Sequence, residues 1–192
     1  MIAIIKYNGG NVNSVQNALN RLGAESIITD DFDLIQNAEK VIFPGVGEAS
    51  STMKTLKEKG LDQLIPTLKQ PVLGICLGMQ LMCNKNEEGN TKGMGIFDIN
   101  VKKFPPKDLV PHMGWNTIFD FKSTIYSGIK EESDVYFVHS FYCELSENTT
   151  SDCDYILPFS ASLQKDNFYA MQFHPEKSGK IGSQLLQNFL KL

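Results

Sequence analysis

The spacing of hydrophobic and polar positions changes several times along the chain, and each change marks an element. "IAIIKY" (2–7) is a β-branched run that predicts a strand. "NSVQNALNRL" (13–22) follows, with Val15, Ala18, Leu19 and Leu22 on one helical face. Gly23 stands where a helix C-terminus favours a residue without a Cβ. "ESIITD" (25–30) and "KVIFPG" (40–45) read as further strands. "EASSTMKTLKEKGLDQLIPTLKQ" (48–70) carries helical spacing with breaks near Gly60 and Pro66. "PVLGI" (71–75) is apolar throughout, which suits a parallel strand covered on both faces. A helix is predicted to begin at Cys76 and run through "LGMQLMCNK".

The pattern changes after about residue 90. "GIFDINVKKF" (95–104), "DVYFVHSFYCEL" (134–145), "YILPFSASLQ" (155–164) and "NFYAMQFHP" (167–175) read as strands with few helices between them. "GKIGSQLLQNFLKL" (179–192) returns to helix, with Ile181, Leu185, Leu186, Phe189 and Leu190 along one side. The predicted fold class is α/β: a central, mostly parallel sheet flanked by helices, with a mixed or antiparallel extension in the C-terminal half. No repeat or linker divides the sequence, so one domain spanning 1–192 is expected.

Composition narrows the class. Hydrophobic residues make up 42% of the 192 positions and charged residues 21%, as in globular proteins. A formal net charge of −4 gives no electrostatic reason to expect nucleic acid or an anionic membrane as partner. The uncharged run Pro71–Cys83 is too short and Gly-rich to span a bilayer, and Met1 leads straight into a strand with no cleavage site. A cytoplasmic protein is expected. Cys76, Cys83, Cys143 and Cys153 form no CxxC pair and are read as reduced thiols. His112, His139 and His174 lie far apart along the chain without zinc-type spacing, so neither metal nor cofactor is expected.

Three segments could carry chemistry. In "VLGICLGMQL" (72–81) a strand is followed by G-x-C-x-G and a helix, the form of a nucleophile elbow with Cys in place of Ser. A Cβ at the flanking Gly74 or Gly78 would clash at such a tight turn. The helix N-terminus favours a thiolate, and the Leu77 N–H would face a developing oxyanion. A packed structural thiol is the competing reading. "QFHPEKSG" (172–179) places His174 at a strand end, with Pro175 fixing the turn and Glu176 two residues on. In an extended backbone, residues i and i+2 share a side, so Glu176 could orient the His174 imidazole. Cys76, His174 and Glu176 form the only complete triad the sequence offers. "FPGVGEA" (43–49) also follows a strand, and its glycine-rich turn could supply further oxyanion N–H groups. An ordinary turn between strand and helix is the alternative.

With these pieces in order, the sequence resembles the class I (triad) glutamine amidotransferases. "PGVG", "GICLGMQ" and "QFHPEKSG" match their motifs. "HMGWN" (112–116), "YFVHSFY" (136–142) and "HPEKSG" are similar to the HisH-type glutaminase subunits of imidazole glycerol phosphate synthase. The resemblance implies that Cys76 attacks the amide of glutamine, forming a γ-glutamyl thioester, with His174 as base then acid and Glu176 orienting it. Leu77 and the Val46–Gly47 turn would line the oxyanion hole. Gly47, Gln80, Glu88, Ser140 and Phe141 would bind the substrate, with Glu88 and Gln80 alternatively readable as ordinary surface side chains.

The partner implied is a HisF-type (βα)8-barrel cyclase, in a heterodimer. It would receive ammonia and make imidazole glycerol phosphate and aminoimidazole carboxamide ribotide for histidine biosynthesis. Asn11, Trp115 and Lys177 would face it, with Trp115 in a Gly-containing loop. One departure stands near the N-terminus: "KYNGGN" (6–11) has Lys6 and Asn8 where the family often shows Asp and Gly. Two other readings compete: an amidotransferase serving surface-polysaccharide sugars, and a PfpI/DJ-1-like cysteine hydrolase. The second group usually places His directly after the elbow Cys, where this chain has Leu77.

Overall fold

All four residues of β1 (Ile2–Ile5) are buried, as expected of a strand covered on both faces. A computed structural model, which describes residues 1–7 and 11–192, carries the chain from there. It continues through α1 (Val12–Arg21), β2 (Ser26–Thr29), α2 (Phe32–Gln36), β3 (Lys40–Gly45), α3 (Ala49–Glu58), α4 (Leu61–Leu64) and β4 (Val72–Cys76). Next come α5 (Leu77–Met82), β5 (Cys83–Asn86), β6 (Thr91–Lys92), β7 (Phe97–Lys103), β8 (His112–Phe119), β9 (Ser133–His139) and β10 (Phe141–Cys143). The last elements are β11 (Thr149–Tyr155), β12 (Leu157–Lys165), β13 (Phe168–Met171) and α6 (Gly179–Leu190).

Among the described residues, the larger sheet has the strand order β2-β1-β3-β4-β13-β12-β11-β8-β9. Its first five strands are parallel and the others pair antiparallel. This is the expected parallel core with an antiparallel C-terminal extension. A smaller sheet of order β10-β7-β5-β6, which the sequence pattern did not reveal, packs beside it.

Alternate side chains of the parallel strands enter two separate cores. Ala3, Ile5, Val41 and Phe43 join Met53 and Leu56 of α3 and Met79 of α5. Ile2, Ile4, Ile42 and Leu73 join Val15 and Leu19 of α1 and Leu185, Leu186 and Phe189 of α6. The sheet is therefore sandwiched between two helical layers, and the carboxyl ends of β3, β4 and β13 emerge side by side.

Several expectations need correction. The helix after Cys76 ends at Met82 rather than running through Lys85, and Cys83–Asn86 form a strand. The N–H groups of Met94, Gly95 and Ile96 take the carbonyls of Leu81, Cys83 and Met82 at 2.8, 3.1 and 2.8 Å, which stops the helix. Trp115 lies on β8, not in a loop, opposite Tyr136 of β9. Sequence pattern missed β8 because Gly114 interrupts it and few of its residues are buried apolar ones. It missed β11 because Thr149, Thr150 and Ser151 are buried yet polar. Hydroxyl pairs satisfy them: Thr149 to Ser160 at 2.7 Å, Thr150 to Ser162 at 2.7 Å, and Ser151 to Tyr126 at 2.7 Å and to Ser162 at 2.8 Å. Asn8 lies outside the described residues.

The approach of α5 to β3 fixes where β4 ends. A Cβ on Gly78 would lie 2.1 Å from the Phe43 carbonyl oxygen, and one on Gly45 would lie 2.4 Å from the Gly78 nitrogen. Both obstacles are backbone and cannot rotate away. Gly78→Ala is expected to destabilise the chain by about 3 kcal/mol or more through overpacking. Chemical denaturation measures this. A loss below about 1 kcal/mol, the scale of a tolerated Gly→Ala change, would show that α5 is free to shift.

Candidate active site

Cys76 closes β4 with φ 53° and ψ −111°, a conformation L side chains rarely adopt. The chain thus turns sharply between strand and helix, as the elbow pattern predicts. The thiol is nearly buried and borders a cavity of about 310 Å3. The Gln172 side-chain amide donates to its Sγ from 3.7 Å, and the Val138 carbonyl lies 3.8 Å away.

His174 lines the same cavity. Its backbone N–H donates to the Tyr136 carbonyl at 2.9 Å, and its own carbonyl accepts the Ser178 hydroxyl at 2.6 Å. Nδ1 meets Glu176 Oε1 at 2.9 Å, with both side chains 1% exposed. Residues 175–177 form a 3-10 turn instead of the extended backbone expected, so a tight turn, not strand alternation, brings the carboxylate to the ring. Asn11 Nδ2 donates to the same Glu176 oxygen at 3.3 Å. Asn11, expected at a partner surface, therefore touches the carboxylate of the triad. Nε2 of His174 is buried without a hydrogen-bond partner among the described residues.

Burial alone would make the imidazole less basic. Neighbouring Cys76, and Glu176 hydrogen-bonded to Nδ1, outweigh that and raise His174 from 6.5 to about 10. The structure thus brings together a thiol, an imidazole that holds a proton firmly, and a carboxylate that orients it. Such a set can attack a carbonyl and protonate a leaving amine.

The predicted substrate and oxyanion residues surround the same space. Val46, Gly47 and Leu77 form one rim, and Gly47 has φ +108°. Gln80 and Glu88 form a second, Ser140 and Phe141 a third. Gln80 is buried rather than exposed: Nε2 donates to the Phe141 carbonyl at 3.0 Å and to Gln172 Oε1 at 2.9 Å, while Oε1 accepts from Asn86 at 3.1 Å. Glu88 is half-buried, and Oε2 accepts the Ala49 N–H at 2.8 Å. Desolvation raises its pKa against that hydrogen bond, and Glu48 adds to the rise.

Sequence reasoning missed Gln172, Asn86, Val138, His139 and Pro111. Gln172 was within reach: it stands two residues before His174 at the end of a strand and shares its side. Trp115 is 58% exposed, on the strand beside Tyr136, and Lys177 is exposed with Nζ 6.0 Å from the Tyr136 ring.

The model of the family described as glutamine amidotransferase class-I matches residues 3–192. The chain is 58% identical over 194 residues to "Imidazole glycerol phosphate synthase subunit HisH" of Bacteroides fragilis (strain YCH46), covering 100% of this chain and 99% of that protein. The HisH subunit of Bacteroides thetaiotaomicron is 59% identical at the same coverage. The chain belongs to the class-I glutamine amidotransferases, in their HisH branch. A solved glutamine amidotransferase structure superposes with a TM-score of 0.76 over 99% of this amidotransferase and 97% of the other chain, at 17% identity, a likeness of fold.

The two remaining histidines of the amidotransferase, remote in sequence, meet in the structure. His112 Nδ1 lies 2.9 Å from His139 Nε2. Burial lowers His112 to about 4. Burial also lowers His139, against a hydrogen bond to the Phe141 carbonyl, to about 3. Both rings must charge on unfolding in acid, so the unfolded chain binds more protons between pH 6.5 and about 4. Stability is expected to fall as pH drops through that window, by roughly 3 kcal/mol from His112 alone. Denaturant midpoints at pH 7, 6, 5 and 4 test this, and a flat profile would contradict it.

Proposed function

We propose that this amidotransferase hydrolyses glutamine at Cys76 and passes the ammonia to a barrel cyclase that makes imidazole glycerol phosphate and aminoimidazole carboxamide ribotide. The observation that carries the reading is the meeting of Cys76, His174 and Glu176 at one cavity, in a chain whose full-length relatives are named HisH. The whole chain acts as one glutaminase domain in the cytoplasm, in a heterodimer with the cyclase.

The Cys76 thiolate adds to the side-chain amide carbon of glutamine. Backbone N–H groups of Leu77 and the Val46–Gly47 turn receive the developing oxyanion. His174 Nε2, without a hydrogen-bond partner among the described residues, delivers its proton to the departing nitrogen, and ammonia leaves a γ-glutamyl thioester. His174 then takes a proton from water as it adds to the thioester, and glutamate and the thiolate are released. Glu176 keeps Nδ1 protonated and steadies the imidazolium. Glu88 meets the substrate ammonium, and the Ser140–Phe141 backbone meets its carboxylate. Gln80 acts through the Phe141 carbonyl, since both ends of its side chain are already engaged.

Trp115 and Lys177 form the face toward the cyclase. Asn11 is better read as a second support for Glu176 than as a contact with the partner.

Cys76→Ala is expected to abolish glutamine-dependent turnover of the complex while sparing turnover with added ammonia. Loss of both would point to misfolding, and retention of both would remove Cys76 from the chemistry. Trp115→Ala is expected to weaken association with the cyclase by about tenfold or more, the scale of a buried aromatic anchor, without lowering the thermal midpoint of the free chain. Titration calorimetry reads the affinity, and an unchanged value refutes the anchor.

A further inference from the structure

His112 and His139 sit in an aromatic enclosure. His112 stacks on Tyr155 at 4.0 Å and on Phe137 at 4.8 Å, and His139 tilts against Phe159 at 5.1 Å and Phe104 at 5.3 Å. Such surroundings offer no compensation for a polar atom left unpaired. All four ring nitrogens are paired, and the partners fix their protons. At one end, Asn116 Oδ1 accepts the Thr117 N–H at 2.8 Å, which leaves Nδ2 to donate to the Asp154 carbonyl at 3.0 Å and to His112 Nε2 at 3.2 Å. His112 must then carry its proton on Nδ1 and donate it to His139 Nε2. At the other end, the Phe141 carbonyl can only accept, so His139 carries its proton on Nδ1 and donates at 2.8 Å. Both ends dictate the same tautomers. The Phe141 carbonyl also accepts from Gln80, which bonds Gln172, whose amide reaches Cys76.

We propose that Asn116, His112 and His139 form a directed hydrogen-bond chain that positions the 138–141 segment, and so the glutamine pocket, against Cys76. His112 and His139 are positioning residues for the reaction. This role rests on the glutamine reading of the cavity. His139 itself borders that cavity, and the Phe141 carbonyl is where the chain from β8 and the amides behind Cys76 converge.

The test uses the complex with the cyclase. Nitrogen-15 spectra of the imidazoles at pH 7 should show both rings neutral with the proton on Nδ1, and a proton on Nε2 of either ring overturns the chain. His139→Leu should raise KM for glutamine about tenfold with a smaller change in kcat, and leave ammonia-dependent turnover intact. His139→Asn, which keeps a donor near the Nδ1 position for the Phe141 carbonyl but offers His112 no acceptor, should recover part of that loss and fall between His139→Leu and wild type. Equal losses in both variants would mean that ring volume alone matters, and would overturn the role. Should His139→Leu fail to fold, Asn116→Asp decides: a carboxylate only accepts, so it forces the chain to reverse or to charge. Its KM should rise several-fold, and an unchanged KM overturns the proposal. Wild-type complex that releases no glutamate would overturn the glutamine reading and this role with it. Wild-type release with unchanged variants would overturn this role alone.

Discussion

Backbone pressed against backbone governs the site. The Phe43 carbonyl occupies the place where any side chain at position 78 would stand. Because α5 sits this close to β3, the chain leaving β4 must turn within a single residue. That residue is Cys76, held at positive φ. The strained conformation is maintained by the apolar packing of α5 beneath it, where Leu77, Met79, Leu81 and Met82 are all buried. Packing energy from one side of the sheet thereby holds a thiol at the rim of a cavity on its edge. The reactive group and the core are parts of one mechanical arrangement.

Electrostatics around His174 then oppose simple burial. A nearly fully enclosed imidazole would ordinarily shed its proton, as His112 and His139 do. His174 retains its proton because Glu176 and Cys76 both favour the charged ring. Three buried histidines in one chain thus divide into two kinds. Two are neutral and paired in an aromatic setting, and one is charged between a thiol and a carboxylate. The neighbours decide, since all three side chains are equally hidden from water.

The parallel half of the sheet, α1, α6 and the triad were legible from the sequence, for a physical reason. Their signals are dense apolar runs or glycines at forced positions, and both survive in a linear reading. What escaped notice was polar yet buried. Thr149, Thr150 and Ser151 look like a loop, and the hydroxyls of Ser160, Ser162 and Tyr126 let them be buried in a strand. His112 and His139 stand 27 positions apart, and nothing in either segment announces the other. Gln80 was expected to bind the substrate, with a surface helix position as the alternative, and nothing in the sequence showed that its amide is locked on three sides. Hydrogen-bond partners supplied by distant strands leave no periodic trace. The Glu176 position was anticipated for the wrong reason: the turn after Pro175, not a pleat, delivers it.

β13 pairs with β4 in parallel, with Met171 beside Ile75. Base and carboxylate arrive together, two residues apart, on the loop that leaves β13. Although the three groups of the triad span a hundred positions of sequence, folding needs only one alignment between neighbouring strands to assemble them. A slip of a single step along that ladder would carry the imidazole away from the sulfur and turn its side chains to the opposite face. Both strands are enclosed, and close packing at Gly74, where a Cβ would lie 3.0 Å from the Met79 nitrogen, opposes such a slip, so the machinery is aligned by the same packing that excludes water from the sheet.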